Sequence, residues 1–262
     1  MSISFFYKNK IKDVVSITES ETSADLGFGT SKIFDDNLYS AYRNGTQDFT
    51  SGTGTTTLTF SFGSAIFADS IVVVSNLTQY GTMWLTAGNA PNNVAETFGV
   101  PLDGLGTSHK YFWKQYQTDP PQAYQYWRLW FKGVTGIGNH QINEVFLGRR
   151  SVVEEMPSYP FETEIEENTV ELTSERGQKW SYFNYDRESF VMNFEGVNAI
   201  TESNLWNMYK YVKKNTQPFW FCLYSDTKPL DIKFVRFADR GFLSDEITKS
   251  VYDLTVELEK EV

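Results

Sequence analysis

The chain has 262 residues, 40% hydrophobic and 21% charged, which suits one large or two medium globular domains and excludes a disordered chain. A formal net charge of -10 argues against nucleic acid as a main partner, since phosphate binding needs clustered Lys and Arg, and equally against an anionic membrane surface. A single cysteine rules out an intrachain disulfide, and the lack of a signal-like segment or an apolar run of about 18 residues predicts assembly in a cytosol without membrane insertion.

The first half is written for strands. Gly27-Phe28-Gly29-Thr30-Ser31-Lys32 has glycines and a lysine but not P-loop spacing, and it is discounted. Phe34-Asp35-Asp36-Asn37 has turn chemistry. Asp35 and Asp36 are also calcium candidates through their carboxylate oxygens. Residues 55–62 (TTTLTFSF) alternate Leu58, Phe60 and Phe62 with Thr57, Thr59 and Ser61, the period of a half-buried strand. Residues 71–74 are a β-branched run, and 80–86, 126–132 and 142–147 read as further strands between Gly, Asn, Asp and Thr clusters. In 126–132, Trp127, Leu129 and Phe131 share one face, and Tyr126, Arg128 and Trp130 the other. Short strands with turn signals and no helical stripe predict an antiparallel sandwich.

Tyr126-Trp127-Arg128-Leu129-Trp130-Phe131, then Ile142-Asn143-Glu144-Val145-Phe146-Leu147-Gly148, with the early loop from Phe34 to Tyr42, resembles discoidin domains. These are also called coagulation factor five/eight type C or galactose-binding-like domains. The resemblance covers about 15–150 and implies an eight-stranded, jelly-roll-like β-sandwich. In related domains the loop that corresponds to Asp35–Asp36 can hold a structural calcium, and the same residues equally suit an ordinary turn. Many such domains bind glycans, and many are inert decorations. Tyr80, Trp84, Trp113 and Tyr116 are the aromatic glycan-stacking candidates.

Charge divides the chain. Residues 1–150 hold 11 basic and 12 acidic residues, and 151–262 hold 12 and 21, a net of -9. Met156-Pro157-Ser158-Tyr159-Pro160 disfavours helix, so the expected organisation is a sandwich at 1–150, a linker at 151–161 and a second domain at 162–262. Residues 201–215 form the predicted helix: Leu205, Met208, Tyr209 and Val212 make its stripe, Thr201 or Ser203 its cap, and Asn215 its stop. Strands at 189–194, 217–223 and 250–259 surround it. The fold class is therefore mainly β, a sandwich plus a small antiparallel β domain with one packed helix. Cys222, in an apolar run, reads as a buried small hydrophobe.

Arg176-Gly177-Gln178-Lys179-Trp180, the helix, Pro218-Phe219-Trp220-Phe221, Phe234-Val235-Arg236-Phe237 and the closing strand resemble, in that order, the distal tail proteins of long-tailed phages and the minor tail protein of lambda-like phages. The resemblance implies a virion protein at the tail tip or baseplate. There it would form a ring, commonly a hexamer, that continues the tail tube and seats hub and fibre proteins. It makes Arg176, Gln178, Trp180, Trp206, Phe219, Trp220 and Arg236 the assembly candidates. The acidic half would repel DNA phosphates if it lined a lumen, and would equally suit a solvated outer face.

Two histidines, His109 and His140, without cysteine or carboxylate spacing make no zinc site and no Ser-His-Asp or Cys-His set. Acidic pairs leave a glycosidase open, since hydrolysis needs only two carboxylates at a set distance. Three readings follow. The first is a non-enzymatic tail ring protein. The second is a carbohydrate-binding adhesin or fibre adaptor acting through the first domain, with a host surface glycan as partner. The third is a hydrolase.

Overall fold

The structure is a computed structural model, and it describes residues 2–19, 29–38, 40, 42–43, 55–75, 82–91, 96–98, 111–115, 123–132, 141–158, 162–174, 178–228 and 231–261. The fold is mainly β, with antiparallel sheets and one α-helix among the described residues. It divides into two compact units, Lys8–Arg150 and the pair Met1–Tyr7 with Ser151–Val262.

Here the structure departs from the expected boundaries. The first strand, β1 (Ile3–Phe6), does not join the sandwich. It pairs with β11 (Ser151–Val153), inside the expected linker, and with β14 (Phe219–Cys222). Its sequence, Ile3-Ser4-Phe5-Phe6, is buried throughout, so it serves as an interior strand. The sandwich is thus an insertion between two neighbouring strands of the other unit's sheet. Nothing in the local sequence marks this, because strand propensity does not name a partner.

The inserted unit holds β2 (Val14–Glu19), β3 (Tyr42–Arg43), β4 (Thr55–Ile66), β5 (Ser70–Ser75), β6 (Thr82–Gly88), β7 (Glu96–Phe98), β8 (Tyr111–Gln115), β9 (Tyr124–Lys132) and β10 (Gln141–Gly148). They form sheets β2-β4-β9-β6-β7 and β3-β10-β5-β8, nine described strands against the eight that the discoidin resemblance implies. Leu58, Phe60, Phe62, Leu85, Trp127 and Leu129 of the first sheet pack with Ile71, Val73, Ile142, Val145 and Leu147 of the second. Period-two alternation sends these chains inward, and burial of such side chains stabilises by about 1.5–3 kcal/mol each. Alternation puts Glu144 on the face opposite Val145 and Leu147, and the register shift between Ile142 and Glu144 brings Ile142 onto the same core face as those two.

The second unit adds β12 (Glu162–Thr173), β13 (Lys179–Asn198), β15 (Ile232–Thr248) and β16 (Val251–Lys260). Its seven-stranded sheet has the order β11-β1-β14-β15-β16-β13-β12. Helix α1 (Ala199–Tyr211) packs on β13, β15 and β16 through Leu205, Met208 and Tyr209, joined by Val212 at its end, as the stripe predicts. Its start lies earlier than expected. Asn198, not Thr201 or Ser203, is the cap, and its side chain accepts from Ile200 N at 2.9 Å and Thr201 N at 3.0 Å. Its end is also earlier, at Val212 instead of Asn215. Lys213 and Lys214 follow with φ of 53° and 64°, a left-handed exit that ends the helix without glycine. Cys222 is buried, as read from its sequence neighbours. No described helix is long and apolar enough to cross a membrane.

Candidate functional site

The outer face of the five-stranded sheet carries a polar–aromatic layer. Backbone register sets Thr59 opposite Arg128, Arg128 opposite Thr86, and Trp130 between Thr57 and Trp84. The Arg128 guanidinium lies 5.3 Å from the Trp130 ring centre. Its Nε donates to Thr59 Oγ1 at 2.8 Å and its Nη2 to the Pro91 carbonyl at 2.9 Å. Trp130 Nε1 donates to Thr86 Oγ1 at 2.7 Å. Thr57, Thr59 and Thr86 are buried beneath, while Tyr126, Arg128 and Trp130 stay half-buried. Partial burial lowers the Arg128 pKa from its ordinary value, although an arginine stays charged at any physiological pH.

This layer is chemically specific. An indole offers an apolar face to the C–H side of a pyranose, and a guanidinium held in place offers a fork of N–H donors to hydroxyls or a carboxylate. The bonds to Thr59 and Pro91 fix the fork before any ligand arrives, which reduces the entropy cost of binding. The sequence gives half of this: alternation places Tyr126, Arg128 and Trp130 on one face. It does not give the partner threonines, which depend on strand register.

A second cluster lies over β10, where the 3-10 turns Lys10–Asp13 and Thr30–Phe34 pack. Glu144 is buried, with 1% of its surface exposed, and accepts from the Asp36 backbone N–H at 3.2 Å. Loss of water, reinforced by the nearby Asp36 charge, pushes its pKa up to about 9, so it is protonated at neutral pH. Asp36 stands 2.5 Å from Lys12 Nζ, and Asp35 stands 3.7 Å from Lys32 Nζ and accepts from the Ser40 hydroxyl at 2.8 Å. The calcium expectation for Asp35 and Asp36 does not fit this arrangement. A lysine ammonium already takes the cation's place beside each carboxylate, and no group of three or more His, Cys, Asp or Glu among the described residues is placed to hold a metal.

The other expected site residues scatter. Tyr80, Tyr116 and Arg176 lie outside the described residues, as do His109 and His140. Trp84 and Trp113 lie in β6 and β8, on different sheets, with backbones paired to Trp130 and Val72. Phe219 and Trp220 are 1% and 2% exposed, on opposite faces of β14: Phe219 belongs to the core under α1, and Trp220 packs on Phe234 with ring centres 4.5 Å apart, so neither is an exposed assembly surface. Arg236 pairs with Glu261. Gln178 closes the β12–β13 turn through its backbone, which bonds Ser174. Trp180 and Trp206 are exposed, at 54% and 40%.

No protein-family model and no curated protein matches the chain. Among solved structures it is similar to "CBM32 of AlyQ in complex with 4,5-unsaturated mannuronic acid", at 18% identity and TM-score 0.39, over 52% of this chain and 95% of that one. It is also similar to a chitosan-binding module from a chitosanase/glucanase of Paenibacillus sp. IK-5, at 14% identity and TM-score 0.41, over 53% and 97%. A third is a pectin binding carbohydrate binding module, at 16% identity and TM-score 0.38, over 51% and 89%.

Proposed function

We propose that this chain is a non-catalytic recognition protein whose inserted sandwich binds carbohydrate. The observation that carries the reading is the Arg128–Trp130 layer: an indole and a fixed guanidinium, side by side over a bed of threonine hydroxyls. One sugar ring would lie against the aromatic surface, with Arg128 addressing its hydroxyls or a uronate carboxylate. Affinity electrophoresis of the full chain through gels containing alginate, pectin, chitosan or a neutral glucan tests it. Retardation in one polymer, weakened at least tenfold by Arg128→Ala with the melting temperature held, is the expected result. Equal mobility in every gel would overturn it.

A second reading is favoured by a different observation. The seven-stranded sheet ends in a long edge strand, β12, and among the described residues the first part of β13 pairs with β12 alone. Open edges suit an assembly part, and the phage distal-tail role is the form of assembly that the sequence resemblance implies. Negative-stain images of the purified chain test that role: rings support it, and particles of single-chain size at all concentrations count against it. The two readings are compatible, since an assembly part can display a binding module.

A further inference from the structure

Among the described residues Arg128 is a cation without a carboxylate partner, in a chain with 33 acidic residues against 23 basic ones. Elsewhere in the sandwich unit, cations stand beside acids: Lys10 with Asp13, Lys12 with Asp36, Lys32 with Asp35 and Arg149 with Asp69. Strand register accounts for the difference. Around Arg128 the outer face presents hydroxyls, from Ser16 and Thr18 of β2, Thr57, Thr59 and Ser61 of β4, and Thr86 of β6. No register position on this face holds Asp or Glu among the described residues. The guanidinium is also partly stripped of water, and a desolvated charge with only neutral partners is unfavourable.

The donors that remain suit an anion. The bonds to Thr59 and Pro91 commit Nε and one N–H of Nη2. Both N–H groups of Nη1 and the second of Nη2 have no partner among the described residues. They are enough for the paired bonds that a carboxylate accepts, and such charge-assisted bonds are about twice as strong as neutral ones. Trp130, with its ring centre 5.3 Å from the guanidinium, adds an apolar surface beside the fork. Residues 1–150 hold 11 basic and 12 acidic residues, so this part of the chain is nearly neutral and does not repel a polyanion.

We infer that the ligand of this face is an acidic polysaccharide, with Arg128 holding the carboxylate of a uronate residue whose pyranose ring lies against Trp130. The inference rests on the carbohydrate reading and narrows it to one substrate class. Neutral and cationic glycans have hydroxyls for the fork but no anion to match its charge.

Titration calorimetry of the full chain tests it with oligogalacturonate and alginate oligosaccharides, and with the methyl esters of both, which keep the sugar rings and remove the charge. Glucan and chitosan oligosaccharides are run beside them. Saturable binding of at least one acid is expected, weaker by about tenfold or more for its ester, which loses the charge-assisted pair. Added salt is expected to weaken the acid and leave the ester unchanged. Arg128→Lys keeps the charge without the planar fork, and is expected to lose most of the preference for acid over ester at an unchanged melting temperature. The esters alter the ligand alone, so that comparison stands whether or not a variant at Arg128 folds. Equal affinity for acid and ester, or binding of the glucan or chitosan oligosaccharide without binding of either acid, would overturn the uronate inference and leave the carbohydrate reading in place. Heat no greater than dilution for every saccharide would overturn both.

Discussion

Asn9 shows how much one side chain can hold. Its amide donates to the Val145 carbonyl at 2.8 Å and accepts from Leu147 N at 3.1 Å, so it acts as a one-residue strand along β10. The same oxygen accepts from Ile11 N at 3.1 Å and starts the 3-10 turn. Asn9→Ala leaves two backbone groups of β10 unpaired and should cost about 2–4 kcal/mol, read as a lower urea midpoint. Glu144 titrates far from its usual range. Its folded pKa of about 9 lies above that of an unfolded glutamate, so the folded chain binds the extra proton. The stability it contributes is full below about pH 4.5 and is lost as pH rises toward 9. Urea midpoints should fall over that window, and Glu144→Gln should flatten the fall. A slope unchanged in the variant would place the titration elsewhere. Neither role is legible in the sequence. Asn9 reads as an ordinary turn residue, and Glu144 as the polar partner in an alternating strand, because their neighbours come from segments over a hundred positions away.

Elements were read more easily than their limits. The α1 stripe of Leu205, Met208, Tyr209 and Val212 is buried as its spacing predicts, because helix periodicity is a local property. The caps moved because Asn198 reaches the first free N–H groups before Thr201 does. The strand at 55–62 runs on to Ile66, past the point where alternation stops, because β4 pairs across a register shift with β9. β15 has a comparable irregularity between Phe237 and Phe242, and Gly241 lies inside it. A Cβ there would sit 2.6 Å from the Glu257 carbonyl oxygen and 2.8 Å from the backbone of Ala238. All three contacts are with backbone, which cannot swing aside. Gly241→Ala should therefore cost about 1–3 kcal/mol, measured by thermal unfolding, whereas a fully tolerated alanine would mean that the bulge relaxes freely.

At the scale of the whole molecule, composition and alternation made the β class and two-part organisation legible. The insertion was not, since the partner of β1 is decided by burial of Ile3, Phe5 and Phe6 in a sheet whose other strands come after Ser151. The same limit applies to function. Of the aromatic candidates chosen one by one, Trp84 and Trp113 fall on different sheets of the sandwich, whereas the Arg128–Trp130 layer exists only once β4, β9 and β6 are in register. Isothermal titration of the full chain with oligosaccharides of the polymer that retards it, run beside Arg128→Ala, tests this account most directly. The account predicts saturable heat with one site per chain, at least tenfold weaker in the variant at an unchanged melting temperature. Heat no greater than dilution for acidic, cationic and neutral oligosaccharides alike would contradict it.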